Sequence, residues 1–333
     1  MKMKYVSWLL ALVIVVVLAA VLLKGKGAPQ EATAPTEPVT IGIVTFAGYA
    51  PFYLADEKEM WGQGLDVEMV RIESIGDLRA ALSTGGIDMY AATYDIFEAI
   101  EGDEPSGVAF LAVDESRGGD GVVVREGINA LSDLRGKVVG AEPGFPPYFI
   151  LQHLLNQEGM TLADVDFRDV TSQDAGNAFV AGQLDVAATY EPYLSMSANK
   201  VPGAKVLVSS ADTPGLIVDL VFASERLVED RPEVLKGVAE GWFRAIDYWK
   251  ANPEESYAIM ADAFEVSVDE MKEFKSGIAW FDLEKNQRLF DKTTEHNVYA
   301  TFDLVGDILE ANNQNSVRLK ADDHLTDAII RMF

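Results

Sequence analysis

One stretch of this chain occurs twice. Ala81-Leu-Ser-Thr-Gly-Gly-Ile-Asp88 aligns with Ala178-Phe-Val-Ala-Gly-Gln-Leu-Asp185. Each copy soon reaches Ala-Ala-Thr-Tyr followed by an acid, Tyr94-Asp95 in the first and Tyr190-Glu191 in the second. The spacing is 97 residues through the first part and 96 through the tyrosine. Each copy reads as a helix end, a glycine stop and an apolar strand. A chain that repeats such a unit one lobe apart folds into two similar α/β halves.

The surrounding pattern agrees. Strands are expected at Val39–Val44, Leu65–Ile72, Ile87–Thr93, Val108–Val113 and Gly121–Arg125, with a short helix over Asp77–Thr84. The theme restarts with strands at Lys137–Glu142, Asp166–Thr171 and Val186–Thr189, and helices over Pro146–Glu158 and Asp174–Ala181. This alternation predicts a mostly parallel sheet with helices on both faces in each half. Beyond residue 222 the chain reads as helical, over Pro232–Lys250, Pro253–Phe264, Val268–Ile278 and Asn286–Glu310. Trp242, Phe243, Ile246 and Trp249 fall at helical spacing, which marks a core stripe.

The N-terminus has another character. Tyr5–Leu23 is a 19-residue, mostly apolar run, long enough to cross a bilayer. Residues 1–24 are therefore expected to be a membrane anchor or a signal segment. An uncleaved anchor is favoured, because Pro35 directly follows the candidate cleavage site Ala32-Thr33-Ala34. Residues 25–38, rich in Ala, Pro, Thr and Glu, read as a flexible linker.

Composition removes several classes of function. The 333 residues include no cysteine, which excludes disulfides, thiolate metal sites and cysteine nucleophiles. The formal charge of −26 argues against nucleic-acid binding. The three histidines, His153, His296 and His324, lack ligand spacing, so no metal is expected. No nucleophile–base motif is present, and no cofactor is implied.

In open α/β sheets, ligands bind beyond the carboxyl ends of strands, where Tyr94-Asp95 and Tyr190-Glu191 are expected. Two facing lobes would bring both pairs into one cleft. Ser116, Arg117 and Asp120 belong to a glycine-rich loop, and Arg117 is the sole evident cation near the expected site. Gly118-Gly119-Asp120-Gly121 precedes a strand rather than a helix, so it is not read as a phosphate loop. Asp219 interrupts the apolar run Leu216–Phe222 and faces either the cleft or the backbone of a crossover.

Several segments resemble the substrate-binding proteins of ABC importers, in particular the nitrate/sulfonate/taurine type and its relatives that bind thiamine precursors. They are Gly48-Tyr-Ala-Pro-Phe-Tyr-Leu-Ala55, Asp133-Leu-Arg-Gly-Lys-Val-Val-Gly140, the second repeat copy, Glu191-Pro-Tyr193, Pro214-Gly-Leu-Ile-Val-Asp-Leu220 and Gly241-Trp-Phe-Arg-Ala-Ile-Asp247. The resemblance spans about Val39 to residue 312. It implies the type II periplasmic-binding-protein fold, with lobe 1 formed by 39–125 plus 216–333 and lobe 2 by 126–215. Crossovers are expected near Val124–Gly127 and Thr213–Val218.

The implied function is that of an extracytoplasmic receptor. It closes on a small ligand and delivers it, as a monomer, to a membrane permease driven by an ATPase. By position, Tyr49 resembles a ligand-stacking residue of the family. In anion-binding relatives the loop equivalent to Gly144-Phe-Pro-Pro-Tyr148 offers hydroxyls or N–H groups. Here Pro146 and Pro147 remove two donors and leave Phe145 and Tyr148 as contact surface. Asp95, Asp120, Glu191 and Asp219 against the single Arg117, with Tyr49, Tyr94, Phe145, Tyr148 and Tyr193, predict a positive or zwitterionic ligand. An amine, a taurine-like sulfonate and a pyrimidine all fit. The alternatives are a precursor-synthesis enzyme on the same fold, whose relatives lean on a His and a Cys-rich motif, and a tethered sensor domain.

Overall fold

The computed structural model describes residues 38–62, 64–101, 107–311 and 317–333. The expected membrane segment and nearly all of the linker lie outside the described residues. Among the described residues, no helix is long and apolar enough to cross a membrane.

Eleven strands form two sheets among these residues. They are β1 (Val39–Ile43), β2 (Val67–Arg71), β3 (Met89–Thr93), β4 (Gly107–Ser116), β5 (Asp120–Val124), β6 (Val138–Ala141), β7 (Asp166–Asp169), β8 (Val186–Tyr190), β9 (Lys205–Ser209), β10 (Val218–Ser224) and β11 (Ile278–Trp280). The first sheet has the order β11-β4-β10-β3-β1-β2, and the second β7-β6-β8-β5-β9.

The repeat is a repeat of structure. Gly85 and Gly182 both adopt left-handed backbone, at φ +70° and +83°, and end their helices. In each copy the last turn is closed by the same bond, from Gly86 N to Ala81 O and from Gln183 N to Ala178 O. Asp88 then accepts from Thr40 N on β1, at 2.9 Å, and Asp185 from Val138 N on β6, at 3.0 Å. Each acid fastens the neighbouring parallel strand at its start.

The sheets are mixed rather than mostly parallel. Only β2-β1-β3 and β7-β6-β8 run parallel. The strands that carry the chain between lobes, together with β9 and β11, pair antiparallel. A strand that leaves one sheet to enter the other has no helical crossover to reverse it, so it arrives antiparallel.

The strand β5 also moves the lobe boundary. It pairs with β8 and β9 of the second sheet, so the first crossover is Arg117–Gly119 rather than Val124–Gly127. The first lobe ends near Ser116, not at 125. The return passes through Ser210–Ile217 into β10. The expected single helix over Asn286–Glu310 is two, Leu283–Leu289 and Val298–Ala311. Polar side chains break it: Asp291 accepts from Thr293 N, and Asn297 accepts from Ala300 N.

The first lobe's core centres on Trp242, fully buried in the helix Pro232–Ala251. Its ring lies 4.7 Å from that of Phe52, and its Nε1 donates to Phe281 O at 2.8 Å. The same apolar cluster extends to Phe145, Phe149 and Ile150 of the second lobe, so the two lobes are packed together over the cleft.

Candidate functional site: a cleft of buried carboxylates

The site sits where the lobes meet, beside both crossovers. Tyr49 lies in the turn after β1, is 1% exposed, and donates its hydroxyl to Asp219. Asp219 is the second residue of β10. Its neighbours across the sheet are Thr93 on β3 and Asp114 on β4. Directly opposed residues of antiparallel strands share a face, so register alone sets two carboxylates side by side. Like charges in that position are unfavourable, and more so in a dry interior.

Asp95 and Asp120 complete the cluster. The Asp95 Oδ1 accepts from Thr93 Oγ1 at 2.6 Å. Asp120 opens β5 in the second lobe, just past the crossover. All four acids are buried: Asp114 at 0% exposure, Asp120 and Asp219 at 3%, Asp95 at 4%. Both oxygens of Asp114 and Oδ2 of Asp95 have no hydrogen-bond partner. Buried carboxyl oxygens without donors are costly, which marks a site built for something besides stability.

Burial dominates the protonation of the cluster. It pushes the Asp95 carboxyl up to about 6 and that of Asp120 up to about 7. Asp114 and Asp219 are driven well above the usual carboxylate range, by burial first and then by the neighbouring acids. Burial and Asp219 likewise keep the Tyr49 hydroxyl protonated.

Around the acids lies an apolar and aromatic wall of Val44, Phe46, Phe145, Pro146, Tyr190 and Ile96. It encloses a cavity of about 20 Å³, room for roughly one water. Any organic ligand exceeds this volume, so admitting one requires the lobes to stand wider apart than they do here. Past the inner wall, Tyr190 and Tyr193 pack at 6.0 Å between centroids, and burial pushes the Glu142 carboxyl beside them up to about 7.

The structure separates the expected site residues into groups. Tyr49, Asp120, Phe145 and Asp219 line the cavity, and Asp95 adjoins it. Ser116 serves both the hinge and the cluster, where its side chain hydrogen-bonds Asp120. Its hydroxyl meets that of Ser210 at 2.7 Å, and Gly118 N donates to the same Ser210 oxygen at 2.7 Å. Arg117 leaves the cleft: it pairs with Glu115 at 2.8 Å, and its side chain is 54% exposed. The Glu191 carboxylate accepts from Ser195 N at 3.1 Å and Ser195 Oγ at 2.5 Å, capping its own helix. Tyr94 turns into the first lobe's core, edge-on to Phe302 at 5.6 Å. Tyr148 packs on Phe167, away from the cavity. Tyr193 is half-buried behind Tyr190.

Asp114 and Phe46 are site residues that the sequence reading did not select, whereas Tyr190, expected in the cleft with Glu191, lines the cavity. The signal for Asp114 was the one that exposed Asp219, an acid closing an apolar strand, here Val108–Val113. The described residues contain no cluster able to hold a metal ion.

Two α/β lobes joined by two crossovers, with a cleft between them, are the architecture of periplasmic solute-binding proteins. A family profile described as NMT1/THI5 like matches residues 47–256, and the chain belongs to that family. A protein of Brucella abortus (strain 2308), provisionally named a binding protein, is 28% identical over 244 residues, covering 72% of this chain and 75% of its own. The fold matches the alkanesulfonate-binding protein of Xanthomonas axonopodis pv. citri, solved bound to MOPS, with TM-score 0.71 and 15% identity over 88% of this chain and 99% of that one. The periplasmic nitrate-binding protein of Synechocystis PCC 6803 gives TM-score 0.70 and 14% identity, over 89% and 87%.

Proposed function

We propose that the protein is an extracytoplasmic solute-binding receptor that captures a small organic cation or zwitterion between its lobes. It presents the closed form to an ABC permease and its ATPase, and performs no catalysis. The observation that carries the ligand class is the buried cluster of Asp95, Asp114, Asp120 and Asp219 with unpartnered carboxyl oxygens. In their ionised form the four acids would repel a bare anion, and the nearest cation, Arg117, is turned to Glu115. The aromatic wall suits a protonated amine through cation–π contact, or a flat aminopyrimidine by stacking. A taurine-like zwitterion would place its ammonium on the acids. The family and the binding-protein names of its relatives support a receptor over a precursor-synthesis enzyme or a sensor.

A thermal-shift screen tests this reading. The panel holds aliphatic amines, aminopyrimidines, taurine, nitrate and a simple alkanesulfonate. A cationic member at 100 times its dissociation constant raises stability by about 2.7 kcal/mol. Stabilisation by nitrate or the alkanesulfonate, with none from the cations, would overturn it.

The apolar N-terminal run supports delivery to the outer face of the cytoplasmic membrane, the chain being tethered there if the run is kept and released if it is cleaved. A chain starting at Val39 is expected to fold as a soluble monomer and to bind as the full chain does. Aggregation of that chain, or loss of ligand binding, would place the N-terminal segment within the fold.

A further inference from the structure

We propose that protons and the cationic ligand compete to hold the lobes together. The carboxylates of Asp95, Asp114, Asp120 and Asp219 permit closure only when protons or a cation neutralise them, so without a cation the lobes separate as the pH rises. This rests on the reading of the cleft as a cation receptor, and adds to it a regulation of the same site.

The geometry carries the argument. Asp114 and Asp219 are opposed on adjacent strands of the first sheet. Asp95 follows Thr93, the residue opposed to Asp219 on its other side. These three acids belong to the first lobe. Asp120 belongs to the second, and joins them where the lobes meet. Closing the cleft therefore adds a fourth carboxylate to three and removes the water from all of them.

Hydrogen bonds from Thr93 to Asp95, from Ser116 to Asp120 and from Tyr49 to Asp219 offset burial in part, but no facing group supplies positive charge. From β4, Glu115 neighbours Asp114, but its carboxylate is engaged by Arg117 and by Gly215 N. Arg117 is directed outward to that pair. From the turn after β1, Tyr49 donates to Asp219 and stays neutral. From the second lobe, Glu191 faces Asp120 with the same sign, with Glu273 beyond it. Across from Asp114, β11 brings Trp280, and across from Asp219, β3 brings Thr93, neither charged. No Lys, Arg or His faces the four acids among the described residues.

The direction follows from linkage. In the closed lobes, burial and mutual repulsion raise these carboxyl groups, Asp95 to about 6 and Asp120 to about 7. In open lobes water returns and they fall toward ordinary values. Closure therefore takes up protons and is favoured at low pH. A bound cation lowers the same groups, expels their protons and closes the cleft at higher pH. The acids titrate as a coupled set, so the transition belongs to the cluster rather than to one residue.

The test needs no identified ligand. The chain has no cysteine, so Glu68→Cys and Asp166→Cys, at exposed positions of β2 and β7, give one pair of spin labels across the lobes. The distance between them is measured in the full chain in detergent, without added amines, at pH 5.0 and 8.5. The expected result is a short distance at pH 5.0 and a shift to longer distances at pH 8.5. Asp114→Asn with Asp219→Asn keeps the short distance at both. Should that variant fail to fold, Asp120→Asn alone moves the transition upward by roughly one pH unit. An unchanged distance in the labelled parent overturns the proposal. So does the same shift in the Asn variants, which would assign it to the overall acidity of the chain. A failed ligand screen would count against the receptor reading and leave this measurement unaffected.

Discussion

Asp219→Asn is expected to weaken binding of the cationic ligand by about thirtyfold to a few thousandfold. Removing one buried partner of a charge typically costs about 2–5 kcal/mol, and each 1.4 kcal/mol is tenfold. Asn fits the volume and can still accept from the Tyr49 hydroxyl, so the loss reads the charge and not the packing. Titration calorimetry with the ligand found by the screen checks it. An affinity within threefold of the parent would remove Asp219 from the site.

The same substitution has the opposite effect on the unliganded fold. Asp219 is raised by burial and by Asp120 and Asp95, so its ionised form opposes folding. The native state then holds more protons than the unfolded chain between the ordinary carboxylate range and the raised values. Stability therefore falls as pH rises through that window, which for Asp95 and Asp120 runs from about 4 to about 6 and 7. Asp219→Asn flattens this fall and leaves the variant at least as stable as the parent at pH 8. A function–stability exchange of this sign distinguishes a binding carboxylate from a structural one. Glu191→Gln makes a useful contrast. Its carboxylate caps the helix that starts at Tyr193, so the substitution loses a cap and costs affinity less than Asp219→Asn does.

Trp242→Ala is expected to cost about 3–5 kcal/mol of folding stability, the range for removing a large buried aromatic. The indole is fully buried, tilts against Phe52, and holds the Phe281 carbonyl. Its removal leaves both a cavity and an unpaired buried carbonyl. Urea unfolding with parent and variant at one pH reads the difference, and a loss under about 1 kcal/mol would show that the core collapses into the space.

Family membership came early because its signals are local. Helix, glycine stop and strand lie within some fourteen consecutive residues, and their repetition is visible without knowing any contact. The core stripe of the helix Pro232–Ala251 is legible for the same reason, since 3.6 residues per turn fix which side chains share a face. The break at 290–297 was missed although Asp291-Lys-Thr-Thr-Glu-His-Asn297 holds no apolar residue, a loop signal in itself, which side-chain bonds to nearby backbone then fix.

The site was only partly legible, and Tyr94 and Tyr190 show why. They occupy equivalent places in the repeat, yet Tyr94 enters a core against Phe302 while Tyr190 lines the cavity. The helix Val298–Ala311, from the far end of the chain, covers the first copy through Phe302. By itself the sequence determined the two α/β lobes, the buried aromatic stripe and an excess of acid over base near the cleft. Tertiary structure alone decided that β5 belongs to the second lobe, that Arg117 turns outward, and that Asp114 stands opposite Asp219. Strand pairing brings together residues more than a hundred positions apart, and that register is a property of the assembled sheet, which no local stretch of sequence encodes.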